Sequence, residues 1–136
     1  MENSLSLSTN LLDALSPKNR IFVAFSGGLD STALLFLCNK ALKQKKIRNL
    51  KAIHINHNLS KNSDNWQQHC ESFCRSNNIE FESFMVEVSN NRSSVESQAR
   101  QARYKIFESL LEENDQILLA HHRDDVFETI LLRLFR

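Results

Sequence analysis

Arg20-Ile-Phe-Val-Ala-Phe25 runs directly into Ser26-Gly-Gly-Leu-Asp-Ser31, and that into Thr32-Ala-Leu-Leu-Phe-Leu-Cys38. The first segment is short, apolar and rich in strand formers. The third is an apolar run that predicts a buried helix. Between them stand the two glycines of the chain, side by side. A strand, a tight Gly-Gly turn and a helix make an anion site. The bare glycines let backbone N–H groups approach a ligand, and the unpaired N–H groups and dipole of the new helix favour negative charge there. Asp30 adds negative charge at the same place. That makes sense if Mg²⁺ bridges it to a phosphate, because Mg²⁺ takes one or two carboxylates plus phosphate oxygens. No Gly-Lys-Ser/Thr follows, so this is not a Walker A loop, and Gly-x-Gly-x-x-Gly is absent too. A plain tight turn is the alternative, but it would need neither the two serines nor the aspartate.

Outward from this stretch the chain alternates strand and helix. A first helix spans roughly Thr9 to Leu15 and ends near Pro17, and strand one is Ile21–Phe25. A helix follows from Ser31 to about Lys46, then a strand at Leu50–Ile55. A helix from about Asp64 to Asn77 has Ser63 as a plausible N-cap. A strand covers about Phe81–Val88, and a helix spans about Ser94 to Glu113 with capping-box spacing at Ser93-x-x-Glu96. A fourth strand is Gln116–Ala120, and a last helix begins near Asp124. Such alternation predicts an α/β fold, a doubly wound parallel sheet with helices on both faces. Ligands of such sheets bind beyond the carboxyl ends of the strands. Ser26–Ser31, His54-Ile-Asn-His57 and His121-His-Arg-Asp-Asp125 all fall there.

Bulk properties narrow the class. A chain of 136 residues is one domain with a sizeable core. A net charge of +1 predicts no strong field, and a domain gripping nucleic acid alone would be more basic. Three cysteines fit a reducing cytosol better than a disulfide framework. The N-terminus lacks the pattern of a signal peptide, and no run is long enough to cross a bilayer. A cytoplasmic protein is expected. Val126-Phe-Glu-Thr-Ile-Leu-Leu-Arg-Leu-Phe-Arg136 is an apolar pattern that stops without a cap, so a fragment of a longer protein is expected.

Helix three would carry Glu96, Arg100, Arg103 and Phe107 on one stripe, and Val95, Ala99, Ala102, Ile106 and Leu110 on another, the second being core. Arg100 then either presents a forked cation to the site or forms a surface pair with Glu96 of little worth. Glu128, in an otherwise apolar helix with Asp124 and Asp125, demands a cationic partner. The four histidines at 54, 57, 121 and 122 do not share a direction, and Cys70 and Cys74 are an i,i+4 helical pair, so a structural zinc is not expected. The basic run Lys40–Lys51 suits the dipole at a helix C-terminus better than a nucleic-acid patch.

Ser26-Gly-Gly-Leu-Asp-Ser31 resembles the PP-loop of ATP pyrophosphatases. His54-Ile-Asn-His-Asn-Leu59, Glu96-Ser-Gln-Ala-Arg-Gln-Ala-Arg-Tyr104 and Leu119-Ala-His-His-Arg-Asp-Asp-Val-Phe-Glu-Thr129 are similar, in order and spacing, to the tRNA(Ile)-lysidine synthetase family. The resemblance covers the chain from Ile21 onward. It implies an adenine-nucleotide α-hydrolase-like fold lacking its last elements. Residues 1–136 would be an incomplete N-terminal catalytic domain, with C-terminal tRNA-binding domains absent from this chain. It further implies ATP as substrate with Mg²⁺, and ATP-dependent ligation of L-lysine to the wobble cytidine of tRNA(Ile) with a CAU anticodon. ATP would be bound by Ser26, Gly27, Gly28, Leu29, Asp30 and Ser31, and Mg²⁺ by Asp30. Asp30, Arg100, His121 and Asp125 would assemble the reaction centre, and Glu128 would hold lysine. A homodimer is among the assemblies left open. Two other readings stand beside this one: another PP-loop tRNA-modifying or amide-forming ligase, and an inactive ATP-binding remnant. The sequence departs from the family at Asn58, where glycine is usual, and at Ser60, where a basic residue is common. Asn tolerates left-handed backbone best among non-glycine residues, so the turn at 58 is expected to survive.

Overall fold

The computed structural model describes residues 9–15, 20–88, 95–123 and 126–133, with the backbone alone for 121–123 and 126–133. The elements in chain order are α1 (Thr9–Ala14), β1 (Ile21–Ala24), α2 (Leu29–Lys43), β2 (Lys51–Asn56), α3 (Ser63–Ser76), β3 (Glu80–Met85), α4 (Val95–Leu110), β4 (Gln116–Arg123) and β5 (Val126–Arg133). The strands form one sheet in the order β3-β2-β1-β4-β5. The first four are parallel, with Val23 opposite Ala52 on one side and Leu118 on the other.

Alternation along the strands sorts two cores. Val23, Ala52 and Leu118 pack with Leu35, Cys38 and Cys74, on the face covered by α2 and α3. Phe22, Ile53, Ile117 and Leu119 pack with Phe107 and Leu111 on the α4 face. The chain steps from β1 outward to β3 and then jumps back across β1 to β4. Right-handed crossovers in opposite directions put their helices on opposite faces. The reversal opens a crevice above the carboxyl ends of β1 and β4. At the other end of these strands Arg20 Nε donates to Asp115 Oδ2 at 3.1 Å, and the Gln116 amide donates to the Arg20 carbonyl at 3.1 Å. These bonds fix β1 against β4 just before both strands begin.

Most element ends shift by one to three residues from the sequence reading, and three differences matter most. Helix α2 starts at Leu29 and not Ser31, which places Asp30 and Ser31 inside its first turn. It ends early because Lys45 turns left-handed, with φ of 62°. The third difference is β5, where a last helix was expected. A continuous apolar run does not separate helix from strand by periodicity. Val126, Phe127, Thr129 and Ile130 favour strand, and β5 pairs antiparallel with the edge of β4 that β1 leaves open. Glu128 therefore lies on a strand and not in an apolar helix. Ser93 and Asp125 lie outside the described residues.

Helix α4 corrects the stripe assignment. Phe107 is its buried residue, and Tyr104 and Leu110 pack beside it. The stripe through Arg100, Arg103 and Phe107 thus meets the sheet at Phe107 and reaches the cleft at Arg103 and the exposed Arg100, while Val95, Ala99, Ala102 and Ile106 are only partly covered. The turn after β2 survives at Asn58, whose φ is 53°. Its amide donates to Asn56 Oδ1 at 2.8 Å.

Candidate functional site

The loop after β1 is held by its own serines. The Ser31 hydroxyl accepts the Ser26 amide at 3.1 Å and the Gly27 amide at 3.2 Å, and lies 2.9 Å from the Ser26 hydroxyl. The Gly28 amide donates to Ser26 Oγ at 3.3 Å. An anionic oxygen arriving at the Ser31 hydroxyl would meet the same donors. Gly28 is the N-cap of α2 and supplies no side chain to cap it. The first-turn N–H groups of α2 therefore open toward the loop.

The two glycines have different reasons to be glycine. Gly27 has φ of +88°, and a Cβ there would fall 2.6 Å from Cys70 Sγ and 3.0 Å from Trp66 Nε1. Gly28 has an ordinary extended conformation, φ −72° and ψ 172°. A Cβ on it would find only Ser26 Oγ, at 3.5 Å. Backbone geometry requires the first glycine, and open approach to the loop explains the second.

A cleft of about 840 Å³ lies beyond the strand ends, lined by Ser26 and Ser31 from the loop and α2 and by Arg100, Arg103 and Tyr104 from α4. Arg100 makes no ion pair with Glu96, so the surface-pair alternative is not formed. Its guanidinium lies 5.6 Å from the Tyr104 ring centre, and that of Arg103 5.9 Å away. Aromatic contact of this kind holds a forked cation in place without satisfying its N–H donors. The buried Nε of Arg103 has no partner, and neither does the buried Nδ1 of His57. Burial, then the Arg103 charge and then His54, hold His57 below the ordinary imidazole value. His57 is therefore neutral near pH 7.

His54 and Asn56 have structural partners. His54 Nδ1 donates to the Phe25 carbonyl at 2.9 Å, and its ring stacks on Phe81. Burial is the main cause that lowers its pKa. Asn56 is 2% exposed and donates to Asp64 Oδ1 at 3.1 Å and Gln67 Oε1 at 2.9 Å. It ties the end of β2 to the first turns of α3. From α3, the Trp66 indole donates to the Ser26 carbonyl at 2.7 Å. Burial pushes the thiols of Cys38 and Cys74 up to about 12 and that of Cys70 up to about 11, so none is a ready thiolate.

The structure thus brings Ser26, Ser31 and Arg100 to one cleft. Leu29 is exposed beside them, and Asp30 is half-buried in the first turn of α2. His121 follows the cleft-lining Ala120 on β4, and Glu128 is at the register position opposite His121 on β5. Asp125 lies outside the described residues. The sequence reading placed His54–His57 at the strand ends without a role for His57 and set Arg103 on the Arg100 stripe, but it missed Trp66 as a cleft residue. Among the described residues no ion pair engages Asp30. A free carboxylate beside open N–H groups fits Mg²⁺ shared with phosphate oxygens. No group of three or more His, Cys, Asp and Glu side chains able to hold a metal occurs among the described residues. No described helix is long and apolar enough to cross a membrane.

Residues 2–136 match the family model of the PP-loop domain. The chain is similar to the tRNA(Ile)-lysidine synthase of Legionella pneumophila strain Lens, at 46% identity over 130 residues. The match covers 96% of this chain and 30% of that protein. It is 44% identical over 137 residues to the enzyme of the same name from Pseudomonas syringae pv. tomato, covering 98% of this chain and 31% of the other. The chain therefore spans less than a third of the length of these curated relatives. Among solved structures, a U34-tRNA thiolase from Methanococcus maripaludis, with its 4Fe-4S cluster, superposes with a TM-score of 0.58. It is 24% identical, over 72% of this chain and 36% of the other, and supports the fold alone.

Proposed function

The chain belongs to the PP-loop domain family, and from that premise we propose that it binds ATP and supplies the adenylating centre for ligating L-lysine to the wobble cytidine of tRNA(Ile) with a CAU anticodon. The observation that carries this is the loop at Ser26–Ser31. Its amides converge on one hydroxyl that lines the same cleft as Arg100. The lysidine synthases matched over almost all of the chain favour this substrate pair.

In this reading the cytidine ring carbonyl oxygen attacks the α-phosphate of ATP, and the bond to the β-phosphate breaks. The loop N–H groups receive the departing pyrophosphate. The lysine ε-amine then displaces AMP and forms lysidine. Arg100 balances the charge that develops on the phosphoryl oxygens, since a forked guanidinium matches them. Asp30 would hold Mg²⁺, which supplies charge neutralisation at the phosphates. His121 and Asp125 are assigned to assembling the reaction centre, and Glu128 to the lysine ammonium. The unpartnered Arg103 Nε and His57 Nδ1 add polar capacity for a substrate group in the same cleft.

Incubation of the 136-residue chain with ATP, Mg²⁺, lysine and a tRNA(Ile) transcript, followed by nucleoside mass spectrometry, tests the proposal. Lysidine formed only with lysine present supports it. AMP release without lysine dependence assigns the domain to another PP-loop ligase. ATP binding with no AMP released assigns it to nucleotide binding alone.

A further inference from the structure

We propose that Trp66 is a positioning residue for the phosphate loop, fixing through its indole N–H the peptide that aims the Gly27 amide at the cleft-lining Ser31 hydroxyl. This rests on the reading of Ser26–Ser31 as a nucleotide site and deepens it. The Ser26 carbonyl lies past the end of β1, beyond the sheet ladder. It is held from α3 instead, by Trp66 Nε1 at 2.7 Å and by the weaker Cys70 thiol at 3.7 Å.

A peptide unit is planar, and in the trans form its carbonyl and N–H point in opposite directions. No cis peptide occurs among the described residues. Drawing the Ser26 carbonyl toward α3 therefore drives the Gly27 N–H the other way. There it meets the Ser31 hydroxyl, at 3.2 Å, on the cleft wall. The anchor is needed because glycine accepts φ of either sign, so the peptide before Gly27 has little intrinsic reason to keep one orientation. The cost of that freedom is that something outside the loop must choose, and α3 makes the choice.

The surroundings of Trp66 suit this task. Its side chain is 46% exposed, so filling the core does not account for it. The ring stacks on His69, with centroids 5.0 Å apart and an interplanar angle of 22°. One helical turn further on from Trp66, buried Cys70 closes the other side of the Gly27 seat. Helix α3 is in turn tied to the end of β2 through Asn56. The indole is thus a fixed donor on a fixed helix.

Trp66 is the chain's single tryptophan. Biosynthetic replacement of tryptophan by benzothienylalanine, which puts sulfur in place of the N–H at nearly the same shape, is therefore specific to this site. Calorimetric titration with magnesium pyrophosphate, at a temperature where circular dichroism shows both proteins fully folded, reads the effect. The expected result is a Kd raised about tenfold, the worth of one aimed hydrogen bond, with Trp66→Phe behaving alike. A tryptophan that merely holds the fold together would shift the melting temperature and leave this Kd unchanged, and an unchanged Kd overturns the assignment. In the unsubstituted protein the lone indole N–H resonance should be protected from solvent exchange; a freely exchanging one also overturns it. An unsubstituted protein that binds no pyrophosphate overturns the underlying reading of the loop, and this assignment with it.

Discussion

Adding one methyl group to each glycine in turn should separate folding from ligand binding. At Gly27 two costs add. A non-glycine residue at φ of +88° carries strain of about 1–3 kcal/mol. The new Cβ would also lie 2.6 Å from Cys70 Sγ and 3.0 Å from the indole nitrogen of Trp66. Neither neighbour yields easily, because Cys70 is fully buried and the indole is bonded to the loop. Overpacking of this kind costs about 1–3 kcal/mol. Gly27→Ala should therefore destabilise the domain by roughly 2–6 kcal/mol, a large part of the stability of a domain this size.

At Gly28 the balance is different. Its dihedrals are ordinary and its nearest neighbour would be in normal contact. Alanine is a poorer N-cap than glycine by several tenths of a kcal/mol, while the loss of unfolded-state freedom returns about 0.4–1 kcal/mol. Gly28→Ala should then melt within a few degrees of the parent yet bind ATP at least tenfold more weakly, because the methyl group occupies the approach to the loop. Urea denaturation and calorimetric ATP titration measure the two effects. Full stability in Gly27→Ala would refute the crowding argument. Parental ATP affinity in Gly28→Ala would refute the claim that the second glycine is kept open for a ligand.

Other perturbations probe the remaining parts of the site. Asp30→Asn should abolish lysidine formation with the fold intact, and normal turnover in that variant removes the metal assignment. Arg100→Ala should lower the rate by about 10²–10³-fold, as for loss of one charge-stabilising donor, with little change in melting temperature. A large melting shift would instead assign Arg100 to packing. Stability should also depend on pH through His54 and His57, both held below their ordinary value of 6.5. The unfolded chain takes up protons that the fold resists, so this stability is complete above pH 6.5 and falls as pH drops below it. The slope is at most about 1.4 kcal/mol per pH unit for each imidazole. His54→Gln should flatten the slope in denaturation experiments run from neutral to mildly acidic pH, and an equal slope in both proteins would show that His54 does not contribute.

What the sequence disclosed follows from how far apart the interacting residues lie. The strand, the Gly-Gly turn and the uncapped helix are contiguous, so the phosphate loop could be read from 20–38 without knowledge of the fold. The βα alternation placed the site at the carboxyl ends of the strands for the same local reason. Asn58 was legible because left-handed tolerance belongs to a single residue. The α4 stripe was harder. Helical spacing groups Arg100, Arg103 and Phe107 correctly, but which stripe faces the sheet depends on Phe22, Ile53, Ile117 and Leu119, which come from three different strands. The apolar run in β5 carried no usable period, and its state is set by the open edge of β4.

The bond from Trp66 to Ser26 spans forty residues and depends on α3 being seated beside the loop, by its core cysteines and by Asn56. Nothing local marks it beyond an isolated aromatic residue one turn before a buried cysteine. The two halves of the phosphate site therefore have different kinds of origin. The donors are a property of six consecutive residues, whereas their aim is a property of the packed domain. It follows that substitutions in the Ser26–Ser31 stretch should act on binding directly, and that substitutions at Asn56 should reach the loop only through α3. Asn56→Ala leaves every loop residue in place, yet it should weaken pyrophosphate binding along with stability. Adding Asn56→Ala to the benzothienylalanine protein should then weaken binding little further, because both changes release the same carbonyl. Fully additive losses would mean that Asn56 acts on the loop by some route other than the indole.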